Sequence, residues 1–566
     1  MNKLILALLV LIITTLIIGL IVFSAEKPPK NQAFINGQVL TVNQNNTIAE
    51  ALLLKDDRIV AVGTTKEITE LMPLNTWVHE LDGRTLIPGI IDAHSHFPGS
   101  GFTAVGVDLN SPPIGNITSI PELLELISTK ASNTPKGKWV VGIGYDDTNL
   151  TEGRHPSKQE LDKASPNNPV FILHISAHMG VANSAALTEL GINTSTPNPD
   201  GGVIVKDDNG QLTGLLQETA IQPVRAKAFD FSYIELIKII QQASSDYAKV
   251  GVTTAQNGAA DEKQIKGLSV ASRFNLIPMR LEVWPFFMDM SDNILSGKFN
   301  SDQYHTDRFR VGALKILADG SIQGYTGFLG EPYHVQPKNK TNYVGFPYIS
   351  RDKLTDLVTK HYAHGSRIAI HGNGDAAIDN ILYAVEYAQS KYPLEDSRTI
   401  IIHSQMARDD QLDKMHELGI SPSFFSAHTY YWGDRHRDIF MGPERAARMS
   451  PAKSAFDKGV PFSIHLDTPV VPMNPMRLIW SAVNRQSTSG AIIGEAERIS
   501  PMQALRATTI DAAWQIFREE EIGSIEVGKF ADLVILNGNL LGSKDGIKDI
   551  LVDQTFVGGV SIFKRE

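Results

Sequence analysis

The chain has 566 residues, 42% hydrophobic and 20% charged, which is enough apolar material for a large core and a second domain. A formal net charge of -10 without any long basic run argues against nucleic acid as a partner. Cysteine is absent, which excludes disulfides, thiolate metal ligands and a cysteine nucleophile.

Met1-Asn2-Lys3 opens the chain, and the twenty residues that follow, Leu4 to Phe23, carry no charge. That length nearly spans a bilayer core and exceeds the usual signal-peptide core of about 7–15 residues, so an uncleaved anchor is expected over a cleaved signal. Val22-Phe-Ser24 before Ala25 is the cleavage site of the alternative, and Pro28-Pro29 ends the segment. Residues 1–30 are therefore read as a membrane anchor or signal. Either way the rest of the chain is exported: anchored on the periplasmic or extracellular face, or soluble in the periplasm if the segment is cleaved.

From Asn31 onward short alternating runs take over, Ala33 to Val42, Ala51 to Lys55 and Asp57 to Gly63, broken by Asn and Gly as in a small antiparallel sheet. Gly523 to Leu536 and Val552 to Phe563 have the same character, so residues 31–86 and 518–566 are expected to pair into one composite domain. Between them apolar strands alternate with amphipathic helices, the signature of a parallel α/β architecture. Candidate strands are Ile90 to His96, Gly251 to Gln256, Arg280 to Phe286, Arg310 to Leu317, Arg367 to Gly372, Thr399 to His403, Ile420 to Phe424 and Val460 to Leu466. Eight strands are the number a (β/α)8 TIM barrel needs, here over residues 87–517. The long interval after the first strand, about 102–233, holds its own runs, Trp139 to Tyr145 and Pro169 to His174, and reads as an insertion on the loop side where lids are accepted.

Active sites of such barrels form at the C-terminal ends of the strands. The first strand closes Leu86-Ile-Pro-Gly-Ile-Ile-Asp-Ala-His94-Ser-His96, two histidines one residue apart, which on a strand point to the same face and can share an ion. The fourth ends Lys315-Ile-Leu-Ala-Asp319, the fifth His371-Gly-Asn-Gly-Asp375, the sixth in His403 and the eighth His465-Leu-Asp467. A lone histidine at a strand end is commonly a hydrogen-bonded core residue. Together these groups outweigh that reading, because a barrel would have to bury four histidines, a lysine and an aspartate at one mouth without use. With no sulfur available the ligands are nitrogen and oxygen, which suits zinc, manganese, iron or nickel, with zinc the commonest in hydrolases.

Pro-Gly-x-x-Asp-x-His-x-His on strand one, Lys on four, His on five and six and Asp on eight resembles the amidohydrolase superfamily of metal-dependent hydrolases. Trp139 to Tyr145, Ala177-His178 to Leu187, Gly214-Leu-Leu-Gln-Glu218 and Gly251 to Gly258 resemble one branch, amidohydrolase family 3, the proteins similar to YtcJ and N-substituted formamide deformylase. Gly523 to Leu536 is similar to the returning strand of that family's small β-sandwich.

The resemblance implies that His94, His96 and Asp467 bind a buried metal and His371 and His403 a second, with Lys315 bridging as a carboxylated lysine. If Lys315 instead snorkels or pairs with Asp319, the site holds one ion or is bridged otherwise. Bound water would be acidified and its hydroxide would attack a carbonyl carbon, Asp467 serving as general base and then general acid. The expected activity is hydrolysis of an amide or N-formyl bond in a small molecule. Lactone or ester hydrolysis, deamination, and a membrane-tethered binding protein without catalysis are the alternatives, and a homo-oligomer is left open.

Departures from the family pattern are His465-Leu466-Asp467 where Gly-Ser-Asp is usual, Ser176-Ala-His178 where Asp-Gly-His is common, and Ile402 where a glutamate is common. His178 is a candidate substrate contact from the insertion, with a helix-starting role as its alternative, and Asp319 is a second candidate. The aromatic residues from Phe424 to Trp432 read as core and loop more than as pocket lining.

Overall fold

The computed structural model describes residues 29–337 and 339–566, and Leu4 to Phe23 lies outside them. Among the described residues no helix is long and apolar enough to cross a membrane. The protein is a mixed α/β chain that divides into two compact units. One contains the residues up to Ala93, Ala243–Ala313 and Pro501–Glu566; the other contains His94–Gln242 and Leu314–Ser500.

In the first unit a strand near the start of the described chain pairs with one near its end. Thr85–Pro88 runs antiparallel to Leu533–Leu536 and parallel to Gln38–Leu40, inside a six-stranded sheet that Val552–Val557 and Val560–Lys564 extend. A four-stranded sheet holds Asn31–Ile35 between Ala51–Lys55 and Trp77–Glu80. The sheets are mixed where antiparallel ones were expected, because Asn31–Ile35 meets Trp77–Glu80 in parallel across the intervening helix Thr65–Leu71. Phe34, Leu52, Leu54, Leu86, Leu533, Ile535 and Phe556, drawn from both sheets, share one buried core.

The same unit carries a parallel sheet of Ile90–Ile91, Val252–Ala260, Arg280–Pro285 and Phe309–Val311. Arg280 ties this sheet to the terminal segments. Its buried guanidinium donates to both oxygens of Asp532, at 2.7 and 3.0 Å, and lies 3.9 Å from the Phe530 ring centre. Pairing within a fork of this kind satisfies a charge that would otherwise be costly to bury.

The second unit is built on a five-stranded parallel sheet, in the order Leu314–Leu317, Ile368–Gly372, Ile400–His403, Ser421–Phe424, Ser463–Ile464. The fourth predicted strand is thus two strands, interrupted at Gly312-Ala313. Helices Asp375–Lys391 and Asp409–Leu418 follow their strands as the apolar spacing predicts, and the latter stops at Gly419, whose φ of 64° is the left-handed conformation glycine adopts without cost.

The insertion forms its own six-stranded sheet. Val140, Val170 and Ile172 enter one buried core of this sheet, while Val141, Phe171 and Leu173 enter another. That alternation is the two-residue period of strands covered on both faces.

Candidate metal centre

His94 and His96 do not lie on a strand: the first strand ends at Ile91, and the histidines occupy the segment beyond it. Main-chain hydrogen bonds replace the ladder there. Asp467 N–H donates to the His94 carbonyl at 3.1 Å, and His96 N–H to the Thr468 carbonyl at 2.8 Å. This clasp is what brings the His94-Ser-His96 segment against Asp467.

Side chains converge accordingly. Oδ1 of Asp467 lies 3.6 Å from Nε2 of His94 and 3.3 Å from Nε2 of His96, and Oδ2 lies 3.9 Å from Nε2 of His403. Nζ of Lys315 is 3.0 Å from Nε2 of His94, and the His371 and His403 rings are 4.5 Å apart. Ligand atoms at 2.0–2.2 Å from a tetrahedral ion stand about 3.4 Å from one another, so these spacings fit the edges of a coordination shell. Oδ1 of Asp467 is buried and accepts no hydrogen bond, an orphaned anionic oxygen that a cation would satisfy. The six residues the sequence nominated therefore meet in one place, within one unit, and the nitrogen and oxygen donors of the histidines and Asp467 fit a divalent ion.

The electrostatics favour the same use. Burial, reinforced by neighbouring imidazoles and Lys315, drives His371 and His403 well below the ordinary histidine range, leaving neutral rings with a lone pair to give. Burial draws Lys315 down to about 7 against the pull of Asp467. Burial would raise the Asp467 carboxyl, but adjacent His96 and the nearby His465 and Lys315 hold it below its usual value. His403 and Asp467 adopt φ of 71° and 57°, conformations that cost a side-chain-bearing residue roughly 1–3 kcal/mol and persist where surroundings enforce them.

Two expectations for accessory residues come out differently. His178 does not start a helix; it sits in a turn before strand Met179–Ala182, its ring 5.1 Å from that of His371 and its Nδ1 2.8 Å from Oε2 of Glu218. Its side chain keeps 17% of its surface exposed, against 4% for His371 and 5% for His403, so it borders the open side of the cluster. Asp319 faces neither substrate space nor Lys315. It is fully buried, accepts the N–H groups of Asn373, Gly374 and Phe328, each at 2.9 Å, and lies 3.2 Å from Nδ1 of His371. Burial lifts its carboxyl to about 7 despite those donors. Its place is behind His371, as a brace.

Reasoning from sequence assigned no role to Glu218, although it closes one of the motifs quoted above. It ends strand Leu212–Glu218 at φ 51°, ψ −122°, with its carboxylate buried and its N–H donating to the His178 carbonyl at 2.7 Å. Phe425, from the aromatic stretch read as core, is buried with its ring 5.4 Å from His465 and 6.2 Å from His403. A second grouping of Asp146, Asp147 and His174 in the insertion, with His155 beside it, also escaped notice. Its signal was the acidic pair ending Gly144-Tyr-Asp-Asp147.

Residues 78–563 match the amidohydrolase family. The chain is 31% identical over 544 residues to N-substituted formamide deformylase of Arthrobacter pascens, covering 94% of this chain and 98% of that protein. It is 27% identical to the putative amidohydrolase YtcJ of Bacillus subtilis (strain 168), covering 94% and 98% respectively. In fold it is similar to an uncharacterized metal-dependent hydrolase from Pyrococcus horikoshii OT3, with a TM-score of 0.72, 24% identity and coverage of 91% of this chain and 99% of the other. With its His, Asp and Lys cluster in place and the match running through nearly the whole described chain, the protein belongs to the amidohydrolase family, enzymes that hydrolyse carbon–nitrogen bonds.

Proposed function

We propose that the protein cleaves the carbon–nitrogen bond of a small amide or N-formyl compound, with Asp467 as the group that moves the proton. The observation that carries this reading is the orphaned Oδ1 of Asp467, held within 3.3–3.6 Å of two imidazole nitrogens. His94, His96 and Asp467 would hold one divalent ion, zinc being the expected one, and His371 and His403 a second. A divalent ion in this place supplies an acidified water and polarises the carbonyl oxygen of the substrate. Lys315, part of whose population is neutral near pH 7, would add carbon dioxide at Nζ with loss of a proton, giving a carbamate that reaches both positions.

Asp467 takes the proton of the attacking water as the oxygen–carbon bond forms, and returns it to the nitrogen as the carbon–nitrogen bond breaks. The products are a carboxylic acid, formic acid for an N-formyl substrate, and a free amine. His178, on the exposed side, meets the substrate. The name of the deformylase relative supports N-formyl compounds as the first class to try.

The eight-stranded barrel and its β-sandwich companion are part of this reading, supported by a parallel sheet in each unit and by the mixed sheets of the terminal segments. Export, with Leu4 to Phe23 as anchor, rests on the sequence of that segment.

The test is metal analysis of the purified protein, followed by turnover of a panel of N-formyl and N-acyl amines by the wild type and Asp467→Asn. The expected result is bound metal and turnover that falls about 10³- to 10⁴-fold in the variant. Bound metal without Asp467-dependent turnover on any substrate would favour a binding protein instead.

A further inference from the structure

We infer that His465 is a positioning residue, the middle link of a hydrogen-bond relay that fixes which nitrogen His403 presents to the metal centre. The inference rests on the metal-centre reading above and concerns a residue that departs from the family pattern.

The relay begins in the parallel pairing of Ser421–Phe424 with Ser463–Ile464, where Ser423 and Ser463 stand directly opposite. The Ser463 hydroxyl donates to Oγ of Ser423 at 2.8 Å. Oγ of Ser423 lies 2.9 Å from Nδ1 of His465, and Nε2 of His465 lies 3.1 Å from Nδ1 of His403. All four residues are at least 96% buried, so no bulk water competes for these contacts.

The bonding capacities allow the chain to run either way, and the metal-centre reading selects the direction that leaves His403 a free lone pair. A hydroxyl oxygen has two lone pairs, so Ser423 can accept the Ser463 hydrogen and also the hydrogen on Nδ1 of His465. A neutral imidazole with its hydrogen on Nδ1 has an accepting Nε2, and that atom takes the Nδ1 hydrogen of His403. His403 is then left with the lone pair of Nε2, the nitrogen that faces Oδ2 of Asp467 at 3.9 Å. Run in reverse, the relay would place a hydrogen on Nε2 of His403 and disable it as a ligand. Outer partners of this kind, which set tautomer and ring orientation, typically change metal affinity 10- to 100-fold when removed.

A glycine at position 465, as the family pattern has, offers Nδ1 of His403 no partner. Phe425, with its ring 5.4 Å from that of His465, packs an apolar face beside the relay.

The experiment is calorimetric titration of metal-free full-length protein with Zn²⁺, paired with visible spectra of the Co²⁺-loaded form. His465→Phe, similar in bulk but unable to bond, should weaken binding about 10- to 100-fold and alter the Co²⁺ bands. His465→Gln, whose amide can accept from His403 and donate to Ser423, should recover most of that loss, and Ser423→Ala should show a smaller loss in the same direction. Wild-type affinity in His465→Phe, or a Gln variant no better than Phe, overturns the relay while leaving the metal centre standing. Should His465→Phe fail to fold, Ser423→Ala decides: unchanged affinity and spectrum overturn the inference. A wild type that binds no metal sinks the metal-centre reading itself, and the relay with it.

Discussion

Two clusters of histidines and carboxylates lie in the same unit of this protein, and they differ in what faces their carboxylates. Around Asp467 the nearest polar atoms are imidazole nitrogens and a lysine whose charge burial has weakened, and Oδ1 is left without a donor. Around Asp146 and Asp147 the carboxylates are matched by other side chains, although Nε2 of His174 makes no hydrogen bond. Asp146 accepts from Arg435 at 2.7 Å, from Thr148 at 2.7 Å and from Trp432 at 3.4 Å. Asp147 lies 3.1 Å from Nε2 of His174 and 3.6 Å from Nε2 of His155, and those rings turn their Nδ1 atoms to Ser176 and Tyr145. Composition alone makes both clusters plausible metal sites; the cation already present distinguishes them. A carboxylate matched to an arginine is a strut between the insertion and residues 432–435, whereas one left with an open lone pair awaits a ligand.

The sharpest way to break this contrast is to remove one ligand from each cluster. His94→Ala should abolish stoichiometric metal and lower kcat/KM by more than about 10³-fold. His174→Ala should leave the metal content, measured by elemental analysis, at the wild-type value; loss of metal there would erase the distinction. Next in size is Asp146→Ala, which strands a mostly buried Arg435 and should cost about 3 kcal/mol in denaturant unfolding, with metal per folded chain unchanged. A smaller effect is expected for His178→Ala, a loss of about 10- to 100-fold in kcat/KM with metal retained, the value of one substrate hydrogen bond. If metal is lost as well, His178 belongs with the ligands.

The smallest expected effect concerns pH. Burial, with some repulsion from His364, lowers His361 to about 4, below its unfolded value near 6.5. Between those values the unfolded chain binds a proton that the folded chain refuses, so this histidine's contribution to stability is full above about pH 6.5 and declines as the pH falls toward 4. His361→Gln should flatten that part of the curve of melting temperature against pH; an unchanged slope would show that the residue does not titrate as its burial implies.

The candidate ligands were legible in sequence because each sits at the end of an apolar run, and the runs mark the strands. His371 and His403 are the terminal or near-terminal residues of Ile368–Gly372 and Ile400–His403, as read. What could not be read was anything set by main-chain contacts between distant segments. The clasp between residues 94–96 and 467–468 has no periodic signature, so His94 and His96 were placed on a strand that in fact ends at Ile91. Asp319 looked available because its three backbone donors come from loops whose return path the sequence does not encode in any local pattern. Glu218 escaped assignment for a similar reason, since its partner His178 is set by the antiparallel register of Met179 against Gln217.

The clasp carries a further consequence. Because Asp467 N–H and His96 N–H are bonded to the opposing main chain, the three candidate ligands are aligned by backbone contacts alone. Much of the ordering entropy that metal binding usually has to overcome is therefore spent during folding. The metal-free protein should remain a competent receptor, and one divalent ion should exchange for another by equilibration alone, without an unfolding step.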